Sequence, residues 1–124
     1  MPRPRPIHRP YRIMIAGTAT DMFFAASEEE KEERAMPRFR QILAEWERLG
    51  ARVVASICDD VFQVGVARAP RWAWYLLFDV DDLDVAAAMI QATREAVDGV
   101  RGDRYFRFEL TVGRPFWARE ERAP

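Results

Sequence analysis

The chain has 124 residues, of which 49% are apolar and 31% are charged, and its formal net charge is −1. This length suits one domain rather than two, and no apolar run approaches the roughly 20 residues of a membrane-spanning helix. Residues 1–10 are rich in Pro and Arg and lack the apolar segment of a secretory signal. We therefore expect a soluble, cytoplasmic protein with a Pro/Arg-rich arm at residues 1–10, one domain at residues 11–117 and a polar tail at residues 118–124.

The chain contains one histidine, His8, and one cysteine, Cys58. A disulfide or a cysteine zinc site needs several sulfurs, and a catalytic triad, a multi-histidine metal centre or a proximal haem ligand needs a placed imidazole. Because His8 lies in the arm, we expect no cofactor and no metal, and we interpret Cys58 as a structural thiol. The balanced charge provides no overall field that would favour nucleic acid.

The first predicted strand covers residues 11–20, where Ile13 and Ile15 alternate with other residue types at the period of a strand. A loop follows at residues 21–26. Ser27 and Glu30 then form a capping-box signature, which predicts that a helix begins near Glu28. Apolar residues at helical spacing extend this helix to Gly50. Pro37 falls inside the pattern and predicts a kink or a junction of two helices.

Residues 51–58 predict the second strand, residues 61–66 a hairpin return and residues 67–71 a loop. The third strand, residues 72–80, is apolar on both faces, which is typical of a strand buried on both sides. Asp81 or Asp82 is expected to cap a second helix that ends at Gly99. The fourth strand, residues 105–112, alternates, with Phe106 and Phe108 on one face.

This order, β, α, β, β, α, β, predicts a ferredoxin-like α+β fold with two helices on one face of a four-stranded antiparallel sheet. The other face would stay exposed, although the third strand is apolar there, and an exposed apolar face marks an interface or a ligand site.

Over residues 11 to about 112 the chain resembles the dimeric α+β barrel superfamily. The resemblance rests on the element order, the third strand (WAWYLLF) and the aromatic fourth strand (YFRFE). It implies a homodimer formed through the sheets, with a small-molecule pocket between each sheet and its helices or loops. Similar proteins include muconolactone isomerases, cofactor-free monooxygenases and polyketide cyclases. Other members hold haem through a histidine, which the body of this chain lacks.

The predicted catalytic residues are Tyr105, Arg107 and Glu109 on one face of the fourth strand, together with Tyr75 on the third. A carboxylate can take a proton, Arg can hold a developing enolate, and Tyr can donate to an oxyanion. The alternative interpretation is that Arg107 and Glu109 form a salt bridge at the dimer seam.

Aromatic and thioether side chains provide a predicted wall for an aromatic substrate. Core or dimer packing is the alternative explanation for each of them. Clustered aspartates suggest a metal site, but turns and helix caps also account for them. The predicted substrate-binding residues are Met14, Phe62, Trp72, Trp74 and Trp117.

The RNA-recognition motif shares the predicted topology. Its third-strand signature is incomplete here, since Trp72 replaces the glycine and Ala73 replaces a base-stacking aromatic, which argues against nucleic acid. The predicted function is therefore that of a cofactor-independent acid/base isomerase or cyclase acting on an aromatic or polyketide-like substrate. A cofactor-free monooxygenase and a non-catalytic ligand-binding dimer are the alternatives.

Overall fold

A computed structural model of the chain describes residues 10–61, 64–65 and 72–116. It confirms a mixed α+β fold built on one four-stranded antiparallel sheet. Within the described ranges the elements, in chain order, are β1 (Tyr11–Ala19), α1 (Asp21–Ala25), α2 (Glu28–Glu30), a π-helical segment (Lys31–Ala35), α3 (Met36–Arg48), β2 (Arg52–Cys58), β3 (Trp74–Val80), α4 (Leu83–Arg94), β4 (Ala96–Val97), β5 (Val100–Arg101), α5 (Gly102–Tyr105) and β6 (Phe106–Gly113).

The sheet has the order β2-β3-β1-β6, so β1 lies between β3 and β6. Directly opposed residues of antiparallel strands point to the same face of the sheet. Ile15 is fully buried among residues of α3 and α4, which defines the covered face. Its neighbour Ala16 belongs to the opposite row, which we call the open face.

The core lies between the covered face and the two long helices. Ile13, Ile42 and Met89 are fully buried there, as is Trp46 of α3. The Trp46 indole nitrogen donates to the Met89 carbonyl at 3.0 Å, so the one polar atom of this side chain is satisfied inside the core. The apolar stripes predicted for the two helices are therefore the surfaces that cover the sheet.

The start of the first long helix follows the predicted cap. Ser27 Oγ accepts a hydrogen bond from the Glu30 amide at 3.0 Å, which confirms the N-terminus. The interruption predicted from Pro37 takes the form of the π-helical segment, in which the Met36 amide donates to the Lys31 carbonyl five residues earlier. Proline has no amide hydrogen and clashes with the preceding turn, so the widened turn immediately before it relieves that conflict. Part of the predicted loop before the cap is also helical, since α1 occupies Asp21–Ala25.

The second long helix ends earlier than predicted. Asp82 caps it as expected, accepting from the Asp84 amide at 2.8 Å, but the helix stops at Arg94. The segment expected to continue to Gly99 instead forms a two-residue hairpin between β4 and β5. Asp98 and Gly99 both have positive φ, 53° and 78°, which is the backbone conformation of a tight hairpin turn. The Asp-Gly turn signal therefore prevails over the helical spacing of Val97.

Several predicted features lie outside the described residues. These are residues 1–9 of the arm, positions 62–63 and 66–71 of the predicted hairpin return and loop, and residues 117–124. Val61, Val64 and Gly65 are described and belong to no strand. Over the described ranges, no helix has both the length and the apolar composition needed to cross a membrane.

Candidate functional site

The centre of the open face is a row formed by Tyr75, Ala16 and Glu109. Ala16 on β1 opposes Tyr75 on β3 and Glu109 on β6. Tyr75 is not next to the strand that carries Arg107 and Glu109, because β1 separates β3 from β6. With adjacent strands about 4.8 Å apart, the two backbones are about 10 Å apart. Ala16 is only 4% exposed, while Tyr75 is half-buried and Glu109 is exposed.

Arg107 lies on the same face, opposite Thr18. Its guanidinium carbon is 5.9 Å from the centroid of the Trp72 ring, within the range of a cation–π contact. Among the described residues, Arg107 forms no ion pair with Glu109 or with any other carboxylate. Within the described part of one chain the two residues are therefore not paired with each other, and the salt bridge at a dimer seam stays a prediction.

Tyr105 is separated from these residues. It ends α5 instead of starting the strand, its side chain is 1% exposed, and its hydroxyl donates to Glu30 Oε2 at 2.9 Å. Burial raises the pKa of Tyr105, and the hydrogen bond to Glu30 acts in the same direction. The expected alternation of positions 105, 107 and 109 fails because the chain is helical up to position 105. Its geometry makes Tyr105 a link between the helical layer and the start of β6.

Met14 occupies the middle of the open face and is 43% exposed. It opposes Leu77 on β3 and Thr111 on β6. At the end of the same face, Arg12 forms a two-bond ion pair with Asp79, at 2.8 and 3.1 Å. The open face is thus an apolar centre with charged groups around it.

A second candidate site lies on the covered side, where α3 and the edge of the sheet leave an apolar cleft of about 370 Å³. Among the described residues that line it, Ser56 and Cys58 contribute a hydroxyl and a thiol, and none is charged. Of the predicted substrate-binding residues that the structure describes, Trp74 alone is found here. The lining residues are Met36, Phe39, Leu43, Ser56, Ile57, Cys58, Trp74, Leu76 and Phe106.

Sequence reasoning missed most of this cleft because its walls come from residues assigned to the core. The stripe of α3 faces the sheet, but β2 is a fully exposed edge strand that leaves the end of this layer open. Three side chains of that stripe therefore line a cleft instead of a closed interior. The signal present in the sequence was the apolar character of β2, which suits an edge strand poorly.

The predicted site residues are thus divided among several places. Met14, Tyr75 and Glu109 lie on the open face, as does Arg107, whose guanidinium contacts the Trp72 ring. Trp74 lies on the covered side, and Tyr105 lies in the core. Phe62 and Trp117 lie outside the described residues. In the described part of the chain, no group of three or more His, Cys, Asp or Glu side chains is placed to hold a metal.

Comparison with known proteins adds no assignment: no protein-family model matches the chain, and no curated protein is significantly similar to it.

Proposed function

We propose that this chain is a ferredoxin-like protein of the dimeric α+β barrel type that binds a small, uncharged aromatic molecule in the apolar cleft. The cleft carries the proposal. Its volume of about 370 Å³ falls in the range of small-molecule pockets, which are lined mainly by apolar and aromatic side chains with a few polar groups. Burying an unpaired carboxylate or ammonium there would be costly, so the lining selects uncharged ligands.

The element order supports the fold assignment. With the short elements set aside, the chain runs β1, α3, β2, β3, α4, β6, and both long helices pack on the covered face. The open face then remains for a partner. Sheets that pack face to face bury side chains across a layer about 10 Å thick, and the apolar centre around Met14 and Leu77 suits such a contact. Arg107 and Glu109 provide opposite charges for pairing across a two-fold axis.

Ligand binding is tested with N-phenyl-1-naphthylamine, an uncharged probe whose fluorescence rises in apolar sites. We expect 2-naphthol to displace it and 2-naphthoate, its charged counterpart, to fail at pH 7. Ser56→Phe places a ring in the cleft and should abolish binding. Ser56→Ala is the matched control, since it removes the hydroxyl without adding bulk and should retain binding. Absence of probe binding, or equal binding by both variants, would contradict the proposal.

The dimer is tested by light scattering at micromolar concentration. Met14→Glu puts a charge in the centre of the open face and should give a monomer. Val53→Glu is the control, because Val53 is 53% exposed but opposes Phe78 on the covered face. A wild-type protein that is monomeric at this concentration would refute pairing through the open face.

Acid/base isomerisation or cyclisation is the second candidate, favoured by the row in which Tyr75 and Glu109 flank Ala16. This site lies on the opposite side of the sheet from the cleft, so its substrate would bind on the open face. The assay is deuterium exchange of the enolisable protons of 1-tetralone in D₂O, followed by NMR. Exchange above the buffer rate that is lost in Glu109→Gln would support catalysis. If the wild type exchanges these protons only at the buffer rate, acid/base catalysis is refuted and ligand binding remains the proposed function.

A further inference from the structure

Gly17 on β1 lies directly opposite Trp74 on β3, beneath the indole ring. A Cβ atom at position 17 would be 2.0 Å from both Cη2 and Cζ2 of Trp74 and 2.5 Å from Cε2. Its φ lies outside the left-handed region, so the backbone conformation does not require glycine here. The requirement comes from the close approach of the ring to the strand.

The surroundings of the indole limit where it can move. Phe39 meets it edge-on at a centroid distance of 5.3 Å, and Phe108 does so at 5.7 Å. The backbone of β1 closes the side beneath it. A methyl group on residue 17 would need about 1.4 Å of displacement to reach an ordinary 3.4 Å contact. Because Trp74 also lines the cleft, the direction left open is into the cleft.

We propose that Gly17 is a positioning residue that sets the depth of the cleft by letting the ring of Trp74 approach the backbone of β1 closely, and thereby admits ligands of two fused rings. This inference rests on the proposed function, since it specifies the size class of the ligand of that same cleft. A side chain at position 17 raises the indole and leaves space for a single ring.

The experiment compares phenol with 2-naphthol as competitors of the fluorescent probe. Gly17→Ala should weaken 2-naphthol binding by about tenfold or more, in the range that small volume changes produce in apolar pockets, and should leave phenol binding within about threefold. Gly113→Ala is the matched control in the same sheet, because a Cβ there meets nothing within 4 Å. It should bind both phenols like the wild type.

A double variant separates the contact with Trp74 from general damage to the fold. Trp74→Leu removes the ring that a methyl group at position 17 would meet, so Gly17→Ala combined with Trp74→Leu should fold and should bind 2-naphthol as Trp74→Leu alone does. If Gly17→Ala is unfolded and the double variant is also unfolded, the contact with Trp74 is not the reason for the glycine and the inference is wrong. The inference is also wrong if Gly17→Ala binds phenol and 2-naphthol as tightly as the wild type does, although that result would leave the proposed function intact. Failure of the wild type to bind the probe would instead refute the proposed function.

Discussion

Replacing Arg38 by methionine tests the most heavily bonded buried charge in the described chain. Its side chain is 5% exposed and donates to the carbonyls of Val100 at 3.1 Å, Ala92 at 2.8 Å and Glu95 at 2.9 Å. Burial lowers the pKa of Arg38, but an arginine stays charged at neutral pH. The side chain therefore places a cation at the C-terminal end of α4 and ties the β4–β5 hairpin to α3.

The magnitude follows from the carbonyls that lose their donor. The two hydrogen bonds to Val100 and Ala92 are buried, and an unsatisfied buried acceptor costs about 1–3 kcal/mol. Water can replace the donor at Glu95, and removing the cation relieves its own desolvation cost. We expect Arg38→Met to lower the free energy of unfolding by about 2–4 kcal/mol, or Tm by about 8–16 °C at about 4 °C per kcal/mol for a domain of this size.

Urea denaturation followed by circular dichroism measures this loss. Arg40→Met is the control, because Arg40 lies on the same helix but is exposed, and such substitutions usually change stability by about 0.5 kcal/mol or less. Hydrogen exchange adds a local readout, since the amides of Val97 and Val100 should lose protection in Arg38→Met. A loss no larger than that of the control would refute the role assigned to Arg38.

Three further substitutions test local features. Tyr105→Phe should lower the free energy of unfolding by about 1 kcal/mol. Because the folded pKa of Tyr105 is raised, the stability contributed by the protonated phenol is present below about pH 10 and lost above it. In urea titrations above pH 10, wild-type stability should therefore fall more steeply with pH than that of the variant, and equal slopes would contradict this. Ser27→Ala should cost about 1 kcal/mol while Ser27→Asp retains the cap, so equal urea midpoints for the two variants would show that the cap contributes nothing. Gly99→Ala should lower the free energy of unfolding by about 1–2 kcal/mol, because Gly99 has a φ of 78°. Calorimetry should find the control Gly113→Ala close to wild type, and similar losses in both variants would contradict the role of Gly99 in the turn.

The sheet and the long helices could be predicted because their signals are local and periodic. Alternation around Ile13 and Ile15, the cap at Ser27 and the stripes of α3 and α4 each correspond to an observed element. The errors fall where two local signals compete. Val97 continued a helical stripe while Asp98-Gly99 favoured a turn, and the turn prevailed because its glycine adopts positive φ without strain.

The candidate site was harder to predict because it depends on which strands are neighbours. Alternation correctly placed Arg107 and Glu109 on one face of their strand, but it could not show that β1 separates them from Tyr75. The cleft was missed for a related reason. Met36 and Phe39 have the spacing of core residues, and only the position of β2 at the sheet edge shows that their layer is open at one end.

The register of β6 is fixed by its aromatic residues, and this bears on how its charges should be interpreted. Phe108 packs against Trp46 and Trp74 at centroid distances of 5.6 and 5.7 Å, so a shift of one residue would expose it and bury Glu109. The covered core therefore determines where the side chains of Arg107 and Glu109 point, but it makes no demand on their chemistry. Any exposed residue compatible with a strand would satisfy the covered core at these two positions, although only arginine or lysine would keep the cation–π contact that Arg107 makes with Trp72. The charges of Arg107 and Glu109 therefore do not follow from the packing of the fold, and they are available to the partner or substrate proposed for the open face.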